Sequence, residues 1–294
     1  MAGYPAIETF AHAKLNLSLR VLAREATGYH QIETLFCALE LADEIAISRT
    51  SGGVSLVVDR PMDHTGPAPD LGPVEENLAY RAAALYMREA PLTHGVHVRL
   101  VKRIPAGAGL GGGSSDAAAV LRALNRLSSK PLSAHALLEL GGRLGSDVPF
   151  FVTGAPLALA WGRGERIAPL PPLPPAAVVL AVPPERIATA DAYAAIAAEC
   201  ACAPMVIRMP ASWSDIAESA HNDFEAIAFT LHPRLGALRA LLEDAGASIA
   251  RLTGTGSVVF GVFVDAAAAA AAADRITDAH PDIAIIVTQT RTAG

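Results

Sequence analysis

The chain has 294 residues and a formal net charge of −6, and this acidic balance argues against a nucleic-acid surface, which normally carries a basic excess. Hydrophobic residues make up 52% of the chain, yet no apolar run approaches the roughly 20 residues of a membrane-spanning helix. The first dozen residues also lack the basic start and apolar core of a signal peptide. Three cysteines, Cys37, Cys200 and Cys202, cannot all pair within the chain. We therefore expect a cytoplasmic protein with reduced thiols, and neither a nucleic acid nor a membrane as partner.

The periodicity of apolar side chains predicts a succession of strands and helices. In chain order these are strands at 10–22, 34–41, 44–49 and 54–59, a loop at 60–73, a helix at 75–88, a strand at 96–104, helices at 114–127 and 134–144, strands at 148–152 and 158–161, a linker or surface loop at 170–175, a strand at 178–182, helices at 191–200, 213–229 and 233–244, a strand at 258–264, a helix at 266–279 and a strand at 283–288. Strands followed by mixed strands and helices predict an α+β fold with two lobes.

A glycine-rich loop separates the predicted strand at 96–104 from the predicted helix at 114–127. It consists of Pro105, Ala106, Gly107, Ala108, Gly109, Leu110, Gly111, Gly112, Gly113, Ser114 and Ser115. Glycines let the backbone curl around an anion, and the helix that follows adds unpaired N–H groups and the positive end of its dipole. The two serines supply hydroxyls for phosphate or Mg2+, and Asp116 is predicted to lie in the first helical turn. The loop is thus a candidate phosphate site.

Two other phosphate motifs fit this loop less well. A Walker loop ends in Gly-Lys followed by Ser or Thr, and the chain contains no Gly-Lys pair. Gly107, Gly109 and Gly112 match the G-x-G-x-x-G pattern of a dinucleotide fold. That fold expects an acidic residue about 20 positions later, after the next strand, but residues 131–135 hold none. A nucleotide-binding oxidoreductase is therefore the weaker alternative.

The strand, glycine loop and helix resemble those of the galactokinase, homoserine kinase, mevalonate kinase and phosphomevalonate kinase (GHMP) superfamily. Six further motifs, in the family's order, resemble the family of 4-diphosphocytidyl-2-C-methyl-D-erythritol kinases. They are Ala13-Lys14-Leu15-Asn16-Leu17, Gly28-Tyr29-His30, Gly145-Ser146-Asp147-Val148-Pro149-Phe150-Phe151, Gly162-Arg163-Gly164-Glu165, Asn222-Asp223-Phe224-Glu225 and Thr253-Gly254-Thr255-Gly256-Ser257. The departures are small: Thr253 and Thr255 replace a common Ser, and Asp116 replaces an Asn found in some members.

The resemblance implies a two-lobed GHMP-kinase-like fold of mixed sheets and helices, with ATP and substrate in the cleft between the lobes. Residues 1–157 would form the ATP-binding lobe and 158–294 the substrate lobe, with the last strand free to return to the first. The activity it implies is ATP-dependent phosphorylation of the tertiary 2-hydroxyl of a cytidylated sugar alcohol, in isoprenoid precursor biosynthesis. ATP and Mg2+ would be the cofactors, and no protein metal ligand is assigned. The oligomeric state is expected to be monomer or homodimer.

Lys14 and Asp147 are the candidate catalytic residues. Asp147 lies in a Gly-Ser-Asp turn before an apolar segment, where a carboxylate is costly without a purpose, although a helix-capping role would also explain it. Lys14 and Asn16 are two apart on a predicted strand and should project from the same face, which an exposed side of a sheet would explain equally well. The resemblance makes Asp147 the base, gives Lys14 the role of charge stabiliser and lets Asn16 orient the substrate.

Four more residues carry substrate roles in the resemblance alone. Tyr29 and His30 would bind the cytosine by stacking and hydrogen bonding, and Tyr193, after Thr189, would complete an aromatic sandwich with Tyr29. Without the resemblance, Gly28-Tyr29-His30 is better interpreted as an ordinary turn with an amphipathic aromatic. The second glycine loop, Gly254–Ser257, is expected either to pack near the substrate or the first loop, or to form a tight hairpin.

Three hypotheses remain open from the sequence. They are a kinase for a cytidylated alcohol, a kinase for another small alcohol in which Tyr29 and His30 are incidental, and a nucleotide-binding oxidoreductase or non-catalytic binder. Incubation with ATP, Mg2+ and a panel of alcohols would separate them through the release of ADP.

Overall fold

A computed structural model describes residues 7–59, 72–90, 94–196 and 210–292. The strands are β1 (Ile7–Arg24), β2 (His30–Thr50), β3 (Val54–Asp59), β4 (Gly95–Val101), β5 (Leu157–Gly162), β6 (Arg166–Leu170), β7 (Ala177–Val182), β8 (His221–Asn222), β9 (Ile249–Leu252), β10 (Val259–Phe263) and β11 (Ala284–Gln289). The helices are α1 (Leu78–Glu89), α2 (Gly112–Leu127), α3 (Ala134–Leu144), α4 (Val148–Thr153), α5 (Thr189–Ile196), α6 (Trp213–Ser219), α7 (Glu225–Leu231), α8 (Pro233–Asp244) and α9 (Ala266–Ala279), and a short 3-10 turn covers Val74–Glu76. These mixed strands and helices confirm the predicted α+β class.

The chain divides into two compact units, each assembled from separate segments. The first comprises the described parts of residues 1–13, 41–106 and 111–154, and the second those of 14–40, 107–110 and 155–294. The long strands β1 and β2 contribute residues to both units. The predicted boundary at residue 157, with an ATP-binding lobe before it, stays a prediction.

The first unit is a small sheet with helices. The end of β2 pairs antiparallel with β4, and β3 pairs parallel with β4. Helices α1, α3 and α4 pack against α2, whose buried side is largely alanine and leucine. Alanine lets helices approach closely, and each buried leucine adds about 2 kcal/mol of hydrophobic stabilisation. This packing fixes the N-terminus of α2, where the glycine loop ends.

The second unit contains two groups of strands. The beginning of β2 pairs antiparallel with β5, β5 pairs with β6, and β1 pairs parallel with β8. A separate antiparallel sheet has the order β11-β7-β10-β9. Helices α8 and α9 pack on this sheet around a core that includes Phe224, Leu238 and Phe263. The last strand, β11, lies beside β7 in this sheet.

The predicted strand at 148–152 is wrong, because these residues form helix α4. Val148, Pro149, Phe150 and Phe151 are all buried, and a short apolar run has the same appearance in a buried helix as in a buried strand. The local signal was Pro149, since proline is favoured in the first turn of a helix. Asp147 therefore lies at the N-cap position of a helix, not before a strand.

Three other predicted elements have the wrong boundaries. The strands at 34–41 and 44–49 are one strand, β2, which continues through the buried Asp43 because the backbone N–H groups of Arg103 and Ile104 donate to its carboxylate. The predicted helix at 213–229 is two helices, α6 and α7, interrupted where β8 pairs with β1. Strands β6 and β9 were not predicted, and the end of the helix predicted at 191–200 falls outside the described residues.

No helix within the described ranges combines the length and apolar character needed to cross a bilayer. Cys37 is a buried free thiol, and burial raises its pKa to about 12. It is therefore protonated and chemically inert at neutral pH. Cys200 and Cys202 lie outside the described residues.

Candidate active site

The first glycine loop has the backbone of an anion site. Gly107, Gly109 and Gly111 all have positive φ angles, between 66° and 78°, a region that side-chain-bearing residues rarely adopt. Gly111 is the N-cap of α2 and has no side chain to occupy the first N–H groups of the helix. Those N–H groups and the helix dipole fit the phosphates of a nucleotide.

The second glycine loop packs directly against the first one. Within the second unit, the Thr253 Oγ1 donates to the carbonyl of Gly109 at 3.2 Å. A Cβ placed on Gly109 would lie only 2.2 Å from the Thr253 carbonyl oxygen, and one placed on Gly254 would lie 3.3 Å from the Gly109 Cα. Both expectations for this loop are confirmed, because it packs against the first loop and also forms the turn of the antiparallel hairpin between β9 and β10.

Asn222 holds the second loop in place. Its buried amide donates to the carbonyls of Leu252 at 2.7 Å and Gly254 at 2.9 Å, while its Oδ1 accepts from the Phe224 N–H. Nearby, the Glu225 carboxylate accepts from the Leu252 N–H at 2.9 Å. The motif at 222–225 is thus a support for the second glycine loop, a role that its sequence alone did not indicate.

Lys14 and Asn16 form a buried polar pair beside these loops. The Lys14 Nζ donates to the Asn16 Oδ1 at 2.5 Å, which confirms that the two side chains share a face of β1. The Asn16 amide donates to the Thr34 hydroxyl at 2.8 Å, and its backbone N–H donates to Thr253. The Lys14 backbone N–H donates to the carbonyl of Leu110 at 3.0 Å. A buried ammonium needs partners, so its fixed place beside the glycine loop suits a partner of negative charge.

Asp147 lies beside the start of α2, within the first unit. A Cβ placed on Gly145, in the same turn, would lie 3.9 Å from the Ser114 Oγ of the glycine loop. Asp147 is half-buried, and in the described structure its side chain makes no capping hydrogen bond to α4. The turn therefore brings a carboxylate close to the candidate phosphate site.

Asp116 lies deeper than predicted. Helix α2 begins at Gly112, so Asp116 is in its second turn and is buried. Its Oδ2 accepts from the Lys102 Nζ at 2.8 Å, and Lys102 also binds Asp43. The Asp116 Oδ1 finds no hydrogen-bond partner among the described residues. Burial raises the pKa of Asp116 to about 8, and the second carboxylate adds to this rise.

We expect Asp116→Asn to flatten the pH dependence of stability. The folded-state pKa of Asp116 exceeds the unfolded value of about 4, so ionisation opposes folding and stability is lost as the pH rises from about 4 to about 8. The neutral amide removes this ionisation, so the stability of the variant should fall less than that of the parent between about pH 4 and pH 8. Urea unfolding across this pH range measures the stability of each variant, with the half-buried Asp59→Asn as control. If the unfolding free energy of Asp116→Asn changed with pH as steeply as that of the parent, the raised pKa of Asp116 would be contradicted.

The aromatic residues divide into two groups within the second unit. The His30 ring stacks on Tyr193, with centroids 5.0 Å apart, and Tyr193 meets the Phe224 ring edge-on at 4.9 Å. The Tyr29 ring instead lies under the Arg163 guanidinium at 4.1 Å. His30 and Tyr193 are thus brought together, and the sandwich of Tyr193 with Tyr29 stays a prediction.

His30 has an unsatisfied nitrogen. Its Nε2 is buried and finds no hydrogen-bond partner in the described part of the chain. Burial lowers the pKa of His30, and the charge of Arg24 lowers it further, so the imidazole is neutral at pH 7. A neutral imidazole offers one donor and one acceptor, which suits the polar edge of an uncharged base.

Thr189 lies beside the second glycine loop. Its hydroxyl lies 3.4 Å from that of Thr255 in the second glycine loop.

No group of three or more His, Cys, Asp or Glu side chains in the described ranges is arranged to hold a metal ion. Magnesium in nucleotide sites takes most of its ligands from phosphates and water. The Ser114 hydroxyl and the Asp147 carboxylate are oxygen ligands of the kind that would complete such a site.

Comparison with known proteins places these features in a family. Models of the GHMP kinases match the chain twice, the N terminal domain at residues 77–155 and the C terminal model at 210–282. Mevalonate kinase of L. major, a solved structure, aligns with a TM-score of 0.69 at 14% identity, covering 100% of this chain and 98% of that one. A likeness at that identity supports the fold alone, and it confirms the predicted GHMP-kinase-like fold.

Closer relatives share the sequence as well. A 4-diphosphocytidyl-2-C-methyl-D-erythritol kinase of Pelotomaculum thermopropionicum is 39% identical over 97% of this chain and 98% of its own length. The corresponding kinase of Moorella thermoacetica is 39% identical over 95% and 97%. A crystal structure of 4-(cytidine 5'-diphospho)-2C-methyl-D-erythritol kinase aligns with a TM-score of 0.80 at 36% identity, covering 98% of this chain and 100% of that one. Because such relatives match over nearly their full lengths, this protein belongs to the family of 4-diphosphocytidyl-2-C-methyl-D-erythritol kinases.

Proposed function

We propose that this protein transfers the γ-phosphate of ATP to the 2-hydroxyl of 4-diphosphocytidyl-2-C-methyl-D-erythritol, a step of isoprenoid precursor biosynthesis. The observation that carries the proposal is the buried Lys14–Asn16 pair, which hydrogen bonds to both glycine loops. Family membership supports the choice of reaction, and the names of the relatives support the choice of substrate.

In this proposal each glycine-loop residue from Pro105 to Ser115 helps hold ATP. The backbone N–H groups of the loop and of α2 bind the phosphates, and Mg2+ neutralises part of their charge when bound. Asp147 accepts the proton of the substrate hydroxyl. Lys14 offsets charge on the transferred group, and Asn16 orients the substrate. Phosphoryl transfer needs little else than such positioning and charge stabilisation.

The cytosine would be bound by the aromatic residues of the second unit. The unpartnered His30 Nε2 supports hydrogen bonding to the base, and the exposed Tyr29 ring offers a face for stacking. Thr189 and Tyr193 would contact the same end of the substrate. A kinase for a smaller alcohol would have no use for a half-buried imidazole with an unpartnered Nε2 at this position.

The test is a panel assay with the purified protein, ATP and Mg2+. The acceptors are the diphosphocytidyl substrate, the bare sugar alcohol, mevalonate and homoserine, and ADP release is followed for each. We expect the diphosphocytidyl compound to be preferred, with a new phosphate monoester visible by 31P NMR. Faster turnover of mevalonate or homoserine would overturn the proposal. The cytoplasmic location and the choice between monomer and homodimer stay predictions.

Replacing Tyr29 or His30 with Ala should raise the KM for the diphosphocytidyl substrate about tenfold or more. Loss of stacking, or of a buried hydrogen bond, costs on the order of 1–3 kcal/mol, and neither residue is assigned to ATP. The KM for ATP should change little, and residual phosphorylation of the bare sugar alcohol should be unaffected. Variants that impair both acceptors equally would rule out a role in base recognition.

A further inference from the structure

The motif at 162–165 has no role in the proposed chemistry, yet Arg163 makes several defined contacts. Its guanidinium carbon lies 4.1 Å from the centroid of the Tyr29 ring. Its Nη2 and Nε donate to the Glu25 carboxylate at 2.5 and 3.1 Å, and its backbone N–H donates to Glu165 at 2.7 Å. All of these residues belong to the second unit. Contacts of both its guanidinium and its backbone thus fix the position of Arg163.

The partners of Arg163 lie on the turn that carries Tyr29. The backbone N–H of Glu25 donates to the Tyr29 carbonyl at 2.7 Å, and the Gly28 N–H donates back to Glu25 at 2.9 Å. Gly28 has a φ of 90°, which closes the turn between β1 and β2. The Thr27 hydroxyl also donates to the Glu25 carboxylate, at 2.9 Å. Arg163 therefore contacts both the Tyr29 ring and the Glu25 carboxylate, which belong to the same turn.

These contacts limit the freedom of an exposed ring. Tyr29 is 57% exposed, and such a side chain on a turn would ordinarily sample several rotamers. A guanidinium stacked on one face selects one rotamer and leaves the exposed part of the ring for a ligand. The Glu25 carboxylate stays ionised at neutral pH, since hydrogen bonds from Arg163 and then Thr27 hold its pKa below its usual range. The ion pair of Arg163 with Glu25 is therefore present at neutral pH.

We propose that Arg163 is a positioning residue for base recognition: with Glu25 it holds the Tyr29 ring in the orientation that stacks on a pyrimidine. The inference rests on the proposed function, because it assumes that Tyr29 meets the cytosine. Ordering one side chain during binding ordinarily weakens affinity by about two- to tenfold, and Arg163 removes that cost in advance.

The test combines single and double variants of the full-length chain. Arg163→Ala should raise the KM for the diphosphocytidyl substrate about two- to tenfold, with kcat and the KM for ATP unchanged. Arg163→Lys keeps the charge but not the two guanidinium hydrogen bonds to Glu25, so its KM should lie between those of the parent and of Arg163→Ala. The matched control is Arg166→Ala, an exposed arginine of the same hairpin that pairs with Glu165 at 3.6 Å. Calorimetric titration with CDP should show the same order of affinities without any turnover.

The decisive comparison is the double variant. If Arg163 acts through Tyr29, Arg163→Ala should have no further effect in a Tyr29→Ala background. An equal effect in both backgrounds, an Arg163→Ala variant that matches the Arg166→Ala control, or a Tyr29→Ala variant without effect would each overturn the inference while leaving the kinase activity standing. A parent protein that neither phosphorylates the diphosphocytidyl substrate nor binds CDP would overturn both proposals.

Discussion

Asp147→Asn is expected to lower turnover by at least about 100-fold while leaving ATP affinity nearly unchanged. The amide keeps the size of the carboxylate but cannot accept the proton of the attacking hydroxyl. The Asp147 side chain does not cap α4 in the described structure, so the helix should keep its geometry in the variant. Single-turnover kinetics at saturating ATP, together with a nucleotide titration, separate the two quantities.

Asp265→Asn provides the matched control for this prediction. Asp265 is the N-cap of α9 and its carboxylate accepts from the Ala268 N–H, a role that Asn fills equally well. Its turnover should equal that of the parent. If Asp147→Asn also keeps full turnover, Asp147 is not the base. If turnover and ATP affinity fall together, Asp147 instead supports the nucleotide.

Local signals in the sequence account for the elements that were predicted with correct ends. Helices α3, α8 and α9 match the predicted ranges, and each begins at a recognisable signal: Ser133, Pro233 and Asp265. Helix α4 was missed because a six-residue buried run carries no period long enough to separate a helix from a strand. The predicted division of strand β2 at Asp43 is wrong because this residue has hydrogen-bond partners 59 to 61 positions away.

The candidate site shows the same division between local and distant information. The shared face of Lys14 and Asn16 follows from strand geometry and needs no knowledge of the fold. The contact of Asn16 with Thr253 joins residues 237 positions apart, and that of Arg163 with Glu25 joins residues 138 apart. Such contacts arise only when the strands have paired, so neither Asn222 nor Arg163 could be given a role from the sequence.

Gly109→Ala should weaken ATP binding at least about tenfold and lower the free energy of unfolding by about 1–3 kcal/mol. The new Cβ would lie 2.2 Å from the Thr253 carbonyl oxygen, and the φ of 78° is itself unfavourable for alanine. Because the atom it meets is backbone, the second glycine loop must shift, and Thr253 then moves away from the Asn16 N–H.

The control for this change is Gly142→Ala. Gly142 lies within α3, where an added Cβ meets nothing within 4 Å, so alanine should be neutral or stabilise the helix by up to about 1 kcal/mol. Both variants are compared by nucleotide titration well below their melting temperatures, with circular dichroism to show that they are folded. A folded Gly109→Ala protein that binds ATP as tightly as the parent would mean that the two loops need not touch to hold the nucleotide. Weakened binding in Gly109→Ala alone would instead tie ATP affinity to the packing of Thr253 on Gly109, and through Thr253 to the position of Asn16.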